Sequence, residues 1–353
     1  MSRPSKIHID VNALIHNFGC VRQLAPQSKI LAIVKADAYG HGLKKIVIAA
    51  QSLCDAFGVC CLEEAIMIRD LGINTPIVLL EGFYHADELP LLSQYDLQCV
   101  VHHHYQLDLL RQHRLHKPLQ VWLKINTGMH RLGFSPEDFQ SVYYQLQQNI
   151  NIIKDIRLMT HFSQAGDIKN STTTVQIEKF KQISNEFPGE CSLANSAGIL
   201  AWPKSHAQWV RPGIMLYGIS PFDDQQTAPH NLQPLMTFSS QLIAIQKCER
   251  GEPIGYGGHW ICPEDMHIGV VAAGYADGYP HHAKNGTPVL VNGKVVPLVG
   301  RVAMDLLSVD LRQQPQAQVG DPVILWGKDL PVEAVAEYAD TIPYELVCRA
   351  HCR

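Results

Sequence analysis

The sequence predicts an α/β protein in which an N-terminal (β/α)8 barrel precedes a smaller, mostly β domain. Three observations carry that prediction. Over the first 220 residues or so, eight short β-branched runs alternate with longer amphipathic stretches. From about Thr237 helical periodicity fades, and short strands are cut by Gly and Pro. The chain has 353 residues, enough for about two domains at roughly 150 residues each.

The expected barrel strands are Ile30–Val34, Ala56–Cys60, Ile77–Leu80, Gln98–Val101, Leu119–Ile125, Ile156–His161, Cys191–Ala194 and Trp209–Tyr217. Eight strands alternating with helices fit a closed barrel better than the alternative, an open doubly wound sheet. Ser135-Pro136-Glu137-Asp138 opens a helix to about Gln148, with Ser135 as N-cap and Pro136 at the first helical position. Thr173–Phe187 places Ile177, Phe180, Ile183 and Phe187 on one side and stops at Pro188-Gly189. In the second domain Val289–Val296 reads as a hairpin, because Asn292-Gly293 supplies the two positive φ angles of a type I′ turn. Val323–Gly327 reads as another strand, and one helix is expected near Pro331–Tyr338. The expected division is a barrel over 9–228 and a β domain over 229–353, with residues 1–8 free to join the latter.

Hydrophobic residues at 46% and charged residues at 18% describe an ordinary globular chain. With 29 basic and 33 acidic residues there is no basic excess to support nucleic-acid binding. The N-terminus lacks the apolar core of a signal peptide, and runs such as Pro76–Leu80 are too short to span a membrane. A cytoplasmic chain with no membrane partner is expected, its ten cysteines free. No Cys-x-x-Cys pair occurs, and no metal site is expected. The run His102-His103-His104 reads as a solvated strand-to-helix loop rather than a metal tract.

The sharpest chemical feature follows the first barrel strand, where an apolar run ends on a lone lysine, Lys35, and then turns. Barrel active sites lie at such C-terminal strand ends. A lysine desolvated in an apolar mouth is biased toward its neutral amine, the form that makes Schiff bases; a strand-end lysine snorkelling to solvent is the plainer alternative. The string Val34-Lys35-Ala36-Asp37-Ala38-Tyr39-Gly40-His41-Gly42 resembles the pyridoxal-phosphate attachment motif of the alanine racemase family, and the resemblance follows the family's order along nearly the whole chain.

That resemblance implies roles. Lys35 would bind the aldehyde of pyridoxal 5'-phosphate, and Tyr39 would contact its phosphate. Lys124-Ile125-Asn126-Thr127-Gly128-Met129-His130-Arg131 resembles the segment whose arginine, here Arg131, binds the substrate carboxylate bidentately. Lys124 matches a lysine that some members carbamylate to position that arginine; Asn126 stands where many have Asp. His161 matches the histidine packed on the pyridine ring, and Asn195 and Ser196 match cofactor-binding residues, Ser196 on the phosphate. Gly213 and Ile214 match backbone phosphate donors, a placement that agrees with the barrel habit of binding phosphate after strands seven and eight. Arg211 matches the arginine facing the pyridine nitrogen. Arginine only donates, so the ring nitrogen would stay unprotonated, and side reactions such as transamination would be suppressed.

Racemisation needs a base on each face of the Cα. Tyr256, in Glu252-Pro253-Ile254-Gly255-Tyr256-Gly257-Gly258, matches the base opposite Lys35. A free tyrosine ionises near about 10, so a cationic or hydrogen-bonded setting is needed; His161 and Arg211 are the candidates. Tyr275 matches a residue lining the substrate entrance, and Met304 one whose backbone N–H helps hold the substrate carboxylate, with Ala303 where members often have Cys. In the family Tyr256 and Met304 reach into the neighbouring subunit's site, implying a head-to-tail homodimer with two shared active sites. Two departures stand out. Ser192 occupies the spot where some members have a histidine beside the arginine, and a tyrosine near the cofactor phosphate falls at Cys352 without gaps. The chain stops at Arg353, a little short of the family's usual end, so either the last strand is absent or the alignment slips there.

The implied activity is interconversion of L- and D-alanine by two bases, for peptidoglycan or for alanine catabolism. The rivals are a racemase of broader range, for example on serine, and a non-catalytic pyridoxal-phosphate barrel, which would lack the β domain and Tyr256. A metal-dependent barrel hydrolase is suggested only by the eighteen histidines.

Overall fold

The structure is a computed structural model and describes residues 3–222 and 231–351. It opens with β1 (Lys6–Ile9) and α1 (Val11–Leu24), whose cap Asp10 accepts the Asn12 and Ala13 N–H groups. Eight parallel strands follow: β2 (Lys29–Ile33), β3 (Ala56–Val59), β4 (Ile77–Leu79), β5 (Leu97–Val101), β6 (Val121–Lys124), β7 (Arg157–Met159), β8 (Cys191–Ser192) and β9 (Trp209–Val210). Each pairs with the next, and β9 pairs back onto β2, closing the barrel. Between them run α2 (Lys35–Gly40), α3 (Leu43–Ala50), α4 (Leu62–Asp70), α5 (Glu88–Gln94), α6 (His104–Gln112), α7 (Pro136–Gln148), α8 (Thr172–Ser184) and α9 (Ser196–Ala201).

The barrel interior is a packed layer rather than a pore. Leu31, Ile33, Ala56, Val78, Val100, Trp122, Met159 and Trp209 fill it. The Trp122 and Trp209 rings meet edge to face at 5.4 Å, and the Arg157 guanidinium lies 5.0 Å and 4.9 Å from them. This plug starts at the N-terminal strand ends and leaves the C-terminal ends open for a site.

The α7 helix starts as expected, with Ser135 Oγ accepting the Asp138 N–H. The strand expected over Trp209–Tyr217 stops at Val210. Pro212 has no N–H for a ladder, and Ile214–Tyr217 winds into a 3₁₀ turn instead. The histidine run is only partly solvated. His102 is buried with Nε2 on the Glu81 carbonyl at 3.0 Å, while His103 caps α6 and His104 is exposed. The helix expected to run to Phe187 ends at Ser184, and Phe187 packs on Phe139 and Tyr143.

The second region comprises β10 (Met236–Cys248), β11 (Pro253–Ile254), β12 (Trp260–Ile261), β13 (Met266–Val271), β14 (Pro288–Val291), β15 (Lys294–Val299), β16 (Leu307–Asp310) and β17 (Pro322–Trp326). Its sheet runs β1-β10-β13-β16-β15-β14-β17, and β17 also pairs with β10, so the sheet closes on itself with β1 attached outside. The β14–β15 hairpin turns on Asn292 (φ 51°) and Gly293 (φ 73°), as expected. Two helices close the described chain where one was expected, α10 (Val332–Tyr338) and α11 (Pro343–Arg349). The second packs against α2: the Tyr39 and Tyr344 rings lie 6.1 Å apart. Among the described residues no helix is long and apolar enough to cross a membrane.

Candidate active site

A cavity of about 1050 Å³ opens at the C-terminal ends of the barrel strands. Lys35, Tyr39, Lys124, Arg131, His161, Asn195, Ser196, Arg211, Gly213 and Ile214 all line it.

Lys35 follows β2 by two residues, and the backbone after it is unusual. Ala36, Asp37, Ala38 and Tyr39 all have φ between 52° and 55°, so α2 is a left-handed turn built from non-glycine residues. Such a conformation costs about 1–2 kcal/mol per residue. Surrounding groups hold it. Ala36 N donates to Glu64 Oε1 at 2.6 Å, Leu43 N to Asp37 Oδ1 at 2.6 Å, and Ala38 N to the Val34 carbonyl at 2.9 Å. The turn brings Tyr39 around to the cavity, where its ring stacks on Tyr217 at 4.8 Å. Burial raises the Tyr39 pKa, so the phenol keeps its proton as a donor.

One wall of the cavity is cationic. Arg211 is buried; Nη1 donates to Ser192 Oγ at 2.7 Å, and Nη2 donates to the Thr160 and Leu193 carbonyls at 2.5 Å and 3.1 Å. Burial lowers its pKa to about 10, which still leaves it charged at neutral pH. Nη2 also lies 3.3 Å from His161 Nδ1. A guanidinium only donates, so Nδ1 is the acceptor and the imidazole proton sits on Nε2. Burial, and then the charge of Arg211, holds His161 well below its usual pKa, so the ring is neutral. Lys124 is buried at the end of β6, and its pKa falls to about 7 through burial first, then Arg211, Arg131 and Lys35. Asn126 Oδ1 accepts the Gly128 and His130 N–H groups, each at 3.1 Å, and so shapes the loop carrying Arg131. Asp would accept the same bonds.

At the other end is a cluster of donors. Asn195 caps α9 through Gly198 N at 2.9 Å, and Ser196 Oγ accepts Gly213 N at 2.9 Å and Met215 N at 3.3 Å. A Cβ on Gly213 would fall 2.7 Å from Tyr39 Oη, so the hydroxyls of Tyr39 and Ser196 and the backbone at 213 converge. Hydroxyls and backbone N–H groups at a helix start suit a phosphate. With an amine at the rim, a flat neutral imidazole and a buried guanidinium, the set fits a phosphorylated pyridine aldehyde.

The β-domain residues lie elsewhere. Tyr256 is 72% exposed, Met304 53% and Tyr275 41%, and none lines this cavity. Tyr275 N and Ala276 N donate to the Ala303 and Met304 carbonyls at 3.0 Å and 2.9 Å, so Tyr275 and Met304 are neighbours. Arg3 ties this region together through Asp277 at 2.8 Å and Asp305 at 3.2 Å. Cys352 lies outside the described residues.

Several residues escaped sequence reasoning. Tyr344 and Cys348 of α11 line the cavity, as does Glu81. Behind it, buried Gln176 donates to Thr127 Oγ1 and the His161 carbonyl, both at 3.1 Å, and accepts Ser163 N at 3.0 Å. Thr127 in turn meets Thr160 Oγ1 at 2.7 Å. The signal for Gln176 is its place beside Ile177 and four before Phe180 on the apolar stripe of α8.

Two family models cover the chain: alanine racemase, N-terminal domain, over residues 9–221, and alanine racemase, C-terminal domain, over 235–353. The chain belongs to the alanine racemase family. An alanine racemase of Shewanella amazonensis is 50% identical over 349 residues, covering 98% of this chain and 96% of that protein. A catabolic alanine racemase of Pseudomonas putida is 47% identical over 346 residues with the same coverage. Among solved structures, the biosynthetic alanine racemase of Pseudomonas aeruginosa superposes with a TM-score of 0.96 at 42% identity, over 99% of this chain and 97% of that one. Alanine racemase from Bartonella henselae, solved with covalently bound pyridoxal phosphate, gives 0.88 at 28% identity, over 99% and 97%.

Proposed function

We propose that this chain interconverts L- and D-alanine with pyridoxal 5'-phosphate, as a cytoplasmic homodimer with two shared active sites. The observation that carries it is Lys35 on the rim of the same cavity as Arg211 and Arg131. Lys35 would hold the cofactor through its aldehyde. Tyr39, Ser196 and the backbone of Gly213 and Ile214 take the phosphate, and Asn195 fixes the helix start that presents it. His161 would pack on its ring, and Arg211 would face the ring nitrogen. Bound there, the cofactor supplies an electron-withdrawing ring that acidifies the substrate Cα–H.

Lys35 Nζ and Tyr256 Oη serve opposite faces of that carbon: one removes the proton and the other returns one from the far side. Arg131 grips the substrate carboxylate, aided by the Met304 N–H, and Tyr275 borders the entrance. The exposure of Tyr256, Tyr275 and Met304 outside their own chain's cavity supports their serving the cavity of a second copy. Lys124 is carbamylated: its neutral amine adds CO₂ and releases one proton, and the carbamate anion pairs with Arg131. Its depressed pKa supports this, because only the neutral amine reacts. We take residues 9–228 and 229–353 as the functional units, with the N-terminal strand siding with the second because β1 pairs with β10. Relatives named catabolic and biosynthetic both match, so the product serves either alanine breakdown or peptidoglycan.

Borohydride reduction of the cofactor-loaded protein, followed by peptide mass mapping, should place the label on Lys35. L-alanine should lose optical activity while solvent deuterium enters Cα. A loaded protein that does neither overturns the proposal.

A further inference from the structure

We propose that Cys60, Cys61 and Glu64 form an inhibitory site for a borderline-soft divalent cation, Zn²⁺ or Cd²⁺, beside the turn that carries Lys35. The two cysteines follow the end of β3, and Cys61 is the residue before α4. Glu64, one turn into that helix, swings back over them. Its Oε2 accepts Cys60 N at 3.0 Å and Cys60 Sγ at 3.3 Å, and its Oε1 accepts Ala36 N at 2.6 Å. One ligand atom from each residue lies within 4.8 Å of the others, the only such group of three among the described residues.

A tetrahedral ion with bonds of about 2.0–2.3 Å sets its donors roughly 3.8 Å apart, so no pair has to shift by more than about 1 Å. Two thiolates and one carboxylate suit Zn²⁺ or Cd²⁺, whereas Mg²⁺ and Ca²⁺ ask for oxygen donors throughout. All three residues are half-buried, shielded yet reachable. The surroundings are acidic as well, with Glu63 next in the chain and Glu81, which accepts the Tyr84 hydroxyl at 2.6 Å, close enough to act on the same phenol as both cysteines. On binding, each thiol gives its proton to solvent as its sulfur–metal bond forms, and Glu64 shares its lone pairs with the ion. Glu64 is also the acceptor that anchors Ala36, so the ion loosens the left-handed turn next to Lys35. This inhibitory consequence rests on Lys35 being the cofactor-bearing residue; the binding does not.

The test titrates the holoenzyme with Cd²⁺. Expected are one equivalent of ultraviolet thiolate-to-cadmium absorption and inhibition of racemisation, both lost in C60S/C61S, which keeps its basal activity, and no response to Mg²⁺. Identical titrations in wild type and the double variant, or inhibition that persists in the variant, overturn the proposal. In the unmutated protein, Cd²⁺ should also protect the Cys60–Cys61 peptide from iodoacetamide while exposed Cys348 stays reactive; equal labelling with and without Cd²⁺ overturns it without any variant. A metal-free protein that does not racemise alanine would refute the enzymatic function, and the absorption titration would still report on the site.

Discussion

Arg211 Nη1 donates to Ser192 Oγ at 2.7 Å, and Ser192 passes its own proton to the Trp209 carbonyl at 3.1 Å. The serine thus gives the buried guanidinium one of its acceptors. Ser192→Ala leaves a buried cation one acceptor short, which should cost about 1–3 kcal/mol in urea unfolding. Arg211→Glu should protonate the ring nitrogen and raise a long-wavelength absorption band when substrate is added; an unchanged spectrum would count against Arg211 facing that nitrogen.

Hybrid dimers should separate the two bases. Lys35→Ala and Tyr256→Phe variants should each lose at least about 10²-fold in kcat/KM. Mixed and reassembled in equal amounts, they form hybrids with one intact site, so about a quarter of wild-type activity should return. No recovery would place Lys35 and Tyr256 in the same subunit's site.

Lys124 should leave a signature in pH. Its folded pKa is about 7 against an ordinary 10.5. Below about 7 the amine is charged in both states, and the fold carries a buried cation. Between about 7 and 10.5 only the unfolded chain holds the proton, so stability rises with pH across that window. In CO₂-free buffer, Lys124→Met should flatten that rise and stabilise the protein by a few kcal/mol at neutral pH and below. Restoring bicarbonate to the wild type should lower KM for alanine and leave the methionine variant unmoved.

His41 should account for part of the acid sensitivity. Burial holds its pKa at about 4, opposed only by backbone contacts such as Nδ1 to the Tyr39 carbonyl at 2.8 Å. As pH falls from 6.5 to about 4 the unfolded chain gains a proton that the folded one refuses. That amounts to roughly 3 kcal/mol of lost stability. Urea midpoints of His41→Phe at pH 7 and near pH 4 should differ less than those of the wild type.

Gly213→Ala tests the phosphate end. The added methyl would sit 2.7 Å from Tyr39 Oη, closer than real Cβ contacts allow. Tyr39 must move, and pyridoxal phosphate should dissociate at least about tenfold more readily, about 1.4 kcal/mol, in a fluorescence titration of the cofactor-free protein. Unchanged affinity would remove Tyr39 from the phosphate.

What the sequence disclosed follows from where the chemistry sits. Lys35, Lys124 and His161 lie at or just past strand ends, where β-branched runs stop and chemically active side chains begin, so period and motif coincide. The run Trp209–Tyr217 misled because its apolar residues suit a strand, while Pro212 removes the N–H a strand needs. Helix α11 escaped because it is short and buries only Leu346 and Val347. Gln176 escaped because a glutamine is usually a surface residue; its role exists only once α8 is laid against β7 and the loop after β6. The left-handed turn had no local sign at all, since Ala36-Asp37-Ala38-Tyr39 contains no glycine.

That turn sets a limit on portability. Its shape is imposed from outside, by a carboxylate 28 positions further along the chain and an aspartate folded back on its own loop. The same hexapeptide grafted onto another barrel would take its sequence along and leave its conformation behind. Whoever wishes to move this lysine chemistry to a new scaffold must move the neighbouring helix with it.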